Sequence, residues 1–439
     1  MRIASKSRPR RTRRARAILT GSVSAVVLAI ACDGPTPKRG RVLLVGIDGA
    51  TFRIIQPLLD QGRLPHLARI AEAGIAAPLR AHLPLQSPRI WTSIATGKLP
   101  EDHGILGFAR EEDGARRLYG SADRKVHALW NIASAAGLTV AVVNWWNTYP
   151  LERVRGVMVS DHLLPLEIVG RRVLTGAAAS GDRGPIVHPE VWQGRVSALL
   201  AATSPLTEVP NPFESRAAFP DDESRGDLAQ RYRNDQVVTR IALEIERDLN
   251  PDLLMVYLPG IDRVSHFLWG AIEPSPLYPE LTAKQRTARA RALAGYYEFS
   301  DALIGRLAAR YGPRDLVLVV SDHGFEAGRK VGGVTGVHKS QRSLEGVIFA
   351  RGPGVAAPSE SRPVSVNDVT PTILAWLGLP LARDMAGRPA PFLEAPGLEA
   401  VATYDTAPIQ RLTEAPSGVE GAILEQLRAL GYFEHGASD

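Results

Sequence analysis

Three apolar runs in this chain each lead into an acidic residue, and that pattern sharply limits the folds open to it. Arg41 to Ile47 runs into Asp48, Leu253 to Tyr257 is followed by Asp262, and Leu316 to Val320 is followed by Asp322. Runs this short, without polar alternation, describe strands buried on both faces, as in a parallel sheet. Leu138 to Val143 and Gly346 to Ala350 have the same character. Helical patterns lie between them: His127 to Ala136, Asp227 to Leu249, about Ala283 to Tyr311, and Val369 to Leu377. In the second of these, Leu228, Tyr232, Ile241, Ile245 and Leu249 fall at helical spacing. Such alternation predicts an α/β fold, a doubly wound, mostly parallel sheet with helices on both faces.

The 439 residues suit one large domain of this kind with insertions. We expect the domain to cover about residues 41 to 390. From about 150 to 225 the alternation breaks down into Pro, Gly and Ser, which predicts an inserted cap over one end of the sheet. Residues 391 to 439 form a looser tail. In it Val419, Ile423, Leu427 and Leu430 predict a packing helix that stops at Gly431.

The formal charge of +6 invites a nucleic-acid reading, but its distribution argues against one. Residues 1 to 31 carry eight basic side chains and no acidic one, leaving 44 basic against 46 acidic in the remainder. The body is close to neutral and shows no nucleic-acid-binding surface. The basic stretch is followed by the uncharged run Ala17 to Ala31, too short to span a bilayer and suited to a secretory signal. It ends at Cys32, the single cysteine of the chain. Small residues before a cysteine at this point resemble a bacterial lipobox, although Ala29 stands where Leu is usual. Residues 1 to 32 are therefore read as an export signal and Cys32 as a lipidation site. Asp33 to Gly40 would be a tether, and the protein would sit on a membrane surface of the cell envelope. An ordinary cleaved signal and an uncleaved anchor are the alternatives.

Ligands in an open α/β sheet bind beyond the carboxyl ends of the strands, so Asp48, Asp262 and Asp322 could converge there. Two of them have histidine company, His266 four residues after Asp262 and His323 directly after Asp322, and His338 follows a Gly-rich stretch. Each element alone is weak, since Asp at a strand end commonly caps a turn. Three Asp and three His together could make two sites for Zn or Mn, and a single cysteine excludes a thiolate zinc cluster. His103 stays open between a core and a site role, and the remaining histidines read as ordinary surface or core residues. Ser87-Pro88 opens a helical stretch running to Thr96, with Ser87 as the expected N-cap and Pro88 in the first turn. A hydroxyl there faces unpaired N–H groups and the positive end of the helix dipole, which favour an alkoxide and a neighbouring phosphate.

The ordered set Gly46-Ile47-Asp48-Gly49, Ser87-Pro88 with Thr96-Gly97 and His103-Gly104, Asp262 with His266, Ser321-Asp322-His323-Gly324 and His338 resembles the alkaline phosphatase superfamily. It is most similar to the type I phosphodiesterase/nucleotide pyrophosphatase branch. The resemblance implies one metal on Asp48, Asp322 and His323, with Ser87 also there as nucleophile, and a second on Asp262, His266 and His338. It implies in-line attack by Ser87 and a phosphoseryl intermediate, with two ions about 4 Å apart at the two apical oxygens. Zn is the first expectation, Mn the second. Many relatives carry Thr in place of Ser87, and often an Asn in place of Arg89 that contacts a phosphate oxygen. Arg89 could hold phosphate with its forked charge or point along the helix to solvent. Sulfatases on the same scaffold need Cys or Ser two residues before Pro, a spacing Ser87-Pro88 does not have.

The resulting expectation is a metal-dependent phosphohydrolase acting on a phosphodiester or pyrophosphate bond. A phosphomonoesterase, a phospho-headgroup transferase and a non-catalytic lipoprotein binding a phosphorylated partner are the alternatives. The partner would be a phosphorylated small molecule, a nucleotide or a lipid headgroup. Trp145, Trp146, Phe267 and Trp269 could stack on it or belong to the core.

Overall fold

The structure, a computed structural model, describes residues 40–164, 185–202, 204–214, 222–277, 281–328, 333–357, 362–394 and 397–412, with residues 421, 424 and 427 of the tail. Cys32 and the whole of the expected signal lie outside the described residues, as do Val419, Ile423, Leu430 and Gly431. Leu427 is helical and buried. Among the described residues no helix is long and apolar enough to cross a membrane.

Nine strands make the main sheet: β1 (Val42–Ile47), β2 (Gly74–Arg80), β3 (Val140–Val143), β4 (Gly156–Val159), β5 (Val187–His188), β6 (Leu253–Leu258), β7 (Leu316–Val320), β8 (Glu345–Arg351) and β9 (Val364–Ser365). Their order across the sheet is β9-β2-β8-β7-β1-β6-β3-β4-β5. β7, β1, β6, β3 and β4 form a continuous parallel block, while β8 and β5 run antiparallel to their neighbours. The doubly wound, mostly parallel α/β arrangement expected from the alternation is present.

Alternating side chains of β1 enter two different apolar layers, which is why its sequence shows no polar face. Leu43, Val45 and Ile47 pack with the helices Phe52–Asp60, Asp222–Leu249 and Ala283–Ala308. Val42 and Leu44 face the helices Ser87–Thr96, Leu129–Ala135 and Val369–Leu377 on the other side. Each such buried aliphatic side chain contributes roughly 1.5–3 kcal/mol relative to exposure.

The five strands foreseen from apolar runs all lie in the sheet, with ends displaced by at most two residues. Three of the four not foreseen have physical reasons for their weak signal. β2 carries Pro78 and is exposed at every other position over part of its length, and β5 and β9 are two residues each. β4 and β5, inside the stretch expected to be inserted, extend the sheet at one edge. The helix Gln193–Leu200 follows them.

Candidate metal centre and active site

The three central strands fix the site. β1 pairs in parallel with β6 on one side and β7 on the other, Gly46 lying level with both Tyr257 and Val320. All three carboxyl ends therefore emerge side by side. Asp48 leaves β1 with its N–H bonded to the Leu258 carbonyl at 3.1 Å. Gly49, at φ +72°, turns the chain so that its own N–H donates to Asp322 Oδ1 at 3.2 Å. A Cβ at Gly49 would stand 2.6 Å from the Phe325 ring and 2.9 Å from the Asp262 backbone, so glycine is required there for space and for conformation. Beyond β6 the helix Gly260–Leu268 carries Asp262 and His266 one turn apart, on one face.

Two buried triads result, Asp48–Asp322–His323 and Asp262–His266–His338, each with its ligand atoms within 4.8 Å of one another. His323 Nε2 stands 3.4 Å from Asp48 Oδ1 and 3.4 Å from Asp322 Oδ2. His266 Nε2 is 3.4 Å, and His338 Nε2 3.6 Å, from the same Asp262 Oδ1. The triads adjoin: the His323 and His338 rings stack with centroids 3.7 Å apart and planes 17° apart.

The imidazoles share one hydrogen-bonding scheme. His266 Nδ1 meets the Gly336 carbonyl at 2.8 Å, His323 Nδ1 the Gly324 carbonyl at 3.0 Å, and His338 Nδ1 the Leu85 carbonyl at 3.1 Å. A carbonyl only accepts, so each Nδ1 carries a proton and each ring turns its Nε2 toward the carboxylates. Holding Nδ1 this way is the usual means of orienting a metal-binding imidazole. The carboxylates are held by their far oxygens. Asp48 Oδ2 accepts from the Tyr257 hydroxyl and from Trp91 Nε1 at 3.3 Å. That leaves Asp48 Oδ1 and Asp322 Oδ2 buried without a hydrogen-bond donor. Burial, and after it the nearby Asp48 charge, push the Asp322 carboxyl well above the usual carboxylate range. Three carboxylates and three imidazoles buried together in two adjoining triads are a chemical match to two divalent ions on nitrogen and oxygen ligands.

Ser87 is 4% exposed and opens the helix Ser87–Thr96. The N-cap is Gln86, so the boundary lies one residue before the position expected, and Ser87 is the first helical residue. Leu85, two residues earlier, holds His338, and Trp91, one turn later on the same face as Ser87, holds Asp48. The helix start is thus tied to both triads. Gly46 makes the approach possible, since a Cβ there would meet the Trp91 ring at 2.6 Å.

A family model for type I phosphodiesterase / nucleotide pyrophosphatase matches residues 42–363. The chain belongs to that family. No curated protein matches its sequence. Among solved structures it is similar to BT1596, a 2-O GAG sulfatase, at 13% identity over 82% of this chain and 76% of that one, with a TM-score of 0.51. It is also similar to human ectonucleotide pyrophosphatase/phosphodiesterase 5, at 13% identity over 77% and 95% of the two chains, with a TM-score of 0.45. A phosphonoacetate hydrolase from Sinorhizobium meliloti, in complex with phosphonoformate, matches at 18% identity and a TM-score of 0.40. That match covers 68% of this chain but only 59% of the hydrolase, less than two thirds of its length. The sheet is that of alkaline-phosphatase-like folds.

In this family member Arg89 Nη2 lies 3.4 Å from the Leu83 carbonyl and 3.4 Å from Glu101, both long contacts. His103 is a core residue. Burial pushes it down to about 3, its Nδ1 accepts the Ile105 N–H at 3.1 Å, and its Nε2 therefore donates to Ser93 Oγ at 3.0 Å. Trp145 and Trp269 are fully buried in the core. Trp146 instead lines a cavity that also reaches Gly260 and three neighbours of site residues: Pro88 and Arg263, next in sequence to Ser87 and Asp262, and Tyr257, hydrogen-bonded to Asp48. Sequence reading missed the roles of Tyr257 and Trp91 as donors to Asp48 and of the Leu85, Gly324 and Gly336 carbonyls as acceptors for the imidazoles. Tyr257 had one signal, a hydroxyl near the end of an apolar strand that leads toward an expected ligand.

Proposed function

We propose that this chain is a dinuclear-metal phosphohydrolase that cleaves a phosphodiester or pyrophosphate bond through a phosphoseryl intermediate on Ser87. The observation that carries the reading is the pair of adjoining triads whose three imidazoles are all pinned at Nδ1. Asp48, Asp322 and His323 would hold one ion beside Ser87, and Asp262, His266 and His338 the other. Bound there, two divalent ions, zinc before manganese, supply Lewis acidity that lowers the pKa of a coordinated hydroxyl or water and offsets charge on the phosphoryl oxygens.

Ser87 Oγ gives up its proton to solvent and attacks phosphorus in line with the bond to the leaving oxygen. The first turn of its helix offers unpaired N–H groups to the phosphoryl oxygens. The leaving oxygen departs with a proton from solvent. Water then attacks the phosphoseryl from the vacated side, releasing phosphate or its monoester and restoring the Ser87 hydroxyl. Arg89, with two weak contacts and two residues from Ser87, is our candidate for a phosphate oxygen. The substrate class is a phosphorylated small molecule, a nucleotide or a lipid headgroup. Export and lipid anchoring at Cys32 belong to the same proposal, on the strength of residues 1 to 32.

Elemental analysis should find about two transition metals per chain, with turnover lost in chelator and restored by metal. Ser87→Ala should retain both ions and lose at least about a thousandfold in turnover of bis(4-nitrophenyl) phosphate, the range for loss of an activated nucleophile. Full turnover by the alanine variant would remove Ser87 from the mechanism.

A further inference from the structure

The cavity beside the triads holds a charge that the hydrolytic machinery does not use. Arg263 follows Asp262 directly and lines this cavity, yet it is only 8% exposed. Its guanidinium makes no hydrogen bond or ion pair with any described residue. None of its nitrogens is sealed away, so the group opens onto the cavity instead of being locked in the core. Desolvating an arginine to this extent without a counter-ion is unfavourable, and such a group is ordinarily paired. Arg231, 7% exposed, brings a second cation to the same cavity.

Of the two carboxylates lining the cavity, Asp161 is engaged through both oxygens and Asp235 through one, its Oδ1 being buried without a hydrogen-bond partner. Asp161 accepts from the Asn147 N–H at 2.8 Å and the Ser160 hydroxyl at 3.1 Å. Asp235 accepts from the Tyr296 hydroxyl at 3.0 Å. Neither forms an ion pair with Arg263. The wall is completed in part by Trp146, an amphipathic surface suited to an organic group.

We propose that Arg263 is an anion-recognition residue, receiving a second acidic group of the substrate while the phosphoryl group to be transferred lies at the triads. The inference rests on the hydrolase reading above and narrows it. The substrate is a phosphorylated compound with a carboxylate or further phosphoryl group a few bonds from the reacting phosphorus. Arg263, placed one residue from a metal ligand on a rigid helix, measures that spacing with its planar fork.

Two phosphonates of matched core test this by calorimetry on the metal-loaded protein. Phosphonoacetate carries a carboxylate, and ethylphosphonate does not. We expect phosphonoacetate to bind about tenfold or more tightly, the scale of one charge-assisted hydrogen-bonded pair. Arg263→Met should shrink the preference to below about twofold with two metals retained, and Arg263→Lys should restore part of it. Methylenediphosphonate in place of phosphonoacetate identifies a phosphoryl group as the second anion if it gains more from Arg263. Absence of the preference in the parent protein, or its persistence in Arg263→Met, overturns the proposal. Metal loss or unfolding in both variants also overturns it, because Arg263 would then be structural. Since binding is the readout, a protein that shows the preference but hydrolyses no ester would sink the hydrolase reading and keep the anion site. An active hydrolase without the preference would do the reverse.

Discussion

Tyr257→Phe distinguishes the two candidate metal sites by removing a single oxygen atom. The Tyr257 hydroxyl donates to Asp48 Oδ2, and burial with the Asp48 charge pushes its own titration well above the ordinary tyrosine range, so it stays a donor at any working pH. A hydrogen bond to a charged group contributes about 1.5–3 kcal/mol. Trp91 Nε1, at 3.3 Å, still donates to the same oxygen in the variant, which favours the lower end of that range. About 1.5–2 kcal/mol corresponds to roughly 10–30-fold in affinity, within the tenfold to hundredfold typical when a ligand loses its outer partner. The loss should fall on the Asp48–Asp322–His323 site, because Asp48, which accepts from the Tyr257 hydroxyl, belongs to that triad. Packing should hold: the ring lies edge-on to Trp91 at 5.0 Å and to Trp146 at 6.1 Å, and Phe keeps that ring. Competition between protein and a chromophoric chelator, followed through both binding steps, reads the effect. Weakening of one step by the stated factor is expected. Equal weakening of both steps, or of neither, would refute the idea that Tyr257 acts by orienting Asp48. The double variant with Trp91→Phe should lose more than the two single effects added, since Asp48 Oδ2 would then have no donor.

Gly49→Ala should destabilise the protein by about 2–4 kcal/mol, from the left-handed backbone and the 2.6 Å approach to Phe325 together, and weaken metal binding; denaturant titration with and without metal checks both. Asp235 is pushed up to about 7 by burial, so the folded state holds its proton where the unfolded chain has released it. Stability should therefore be greatest near pH 4 and fall as pH rises toward about 7, by at most roughly 4 kcal/mol from this group. Asp235→Asn should flatten that slope and be the more stable protein at pH 8, which urea melts at several pH values would show. Asp322, raised for the same leading reason, gives metal-free protein the same sign of pH dependence, and added zinc should reverse it because the ion favours the ionised carboxylate. A chelated sample that gains stability with rising pH would contradict this.

The parts of the site legible in the sequence were those whose signal is local. Asp48 and Asp322 follow unbroken apolar strands, and Asp262 with His266 repeat at one helical turn, so residue type and spacing together marked them. The central sheet was legible for the same reason: strands buried on both faces leave long apolar runs, whereas the two-residue β5 and β9 leave almost none. What sets the six candidate ligands apart from ordinary buried acids and imidazoles is largely long-range. His338 takes its orientation from the Leu85 carbonyl, 253 residues away, and His266 from Gly336, 70 residues away. Backbone carbonyls exist at every position, so no sequence pattern distinguishes the one that holds an imidazole. The same holds for Arg263. Its type and its place after Asp262 were visible, but an arginine there reads as a solvated surface charge until the cavity and the absent counter-ion are seen together. The two levels also predict different sensitivities. Changing a ligand should abolish a metal site, whereas changing an orienting partner should grade its affinity, and the Tyr257 titration measures which of these descriptions applies to the outer ring of contacts.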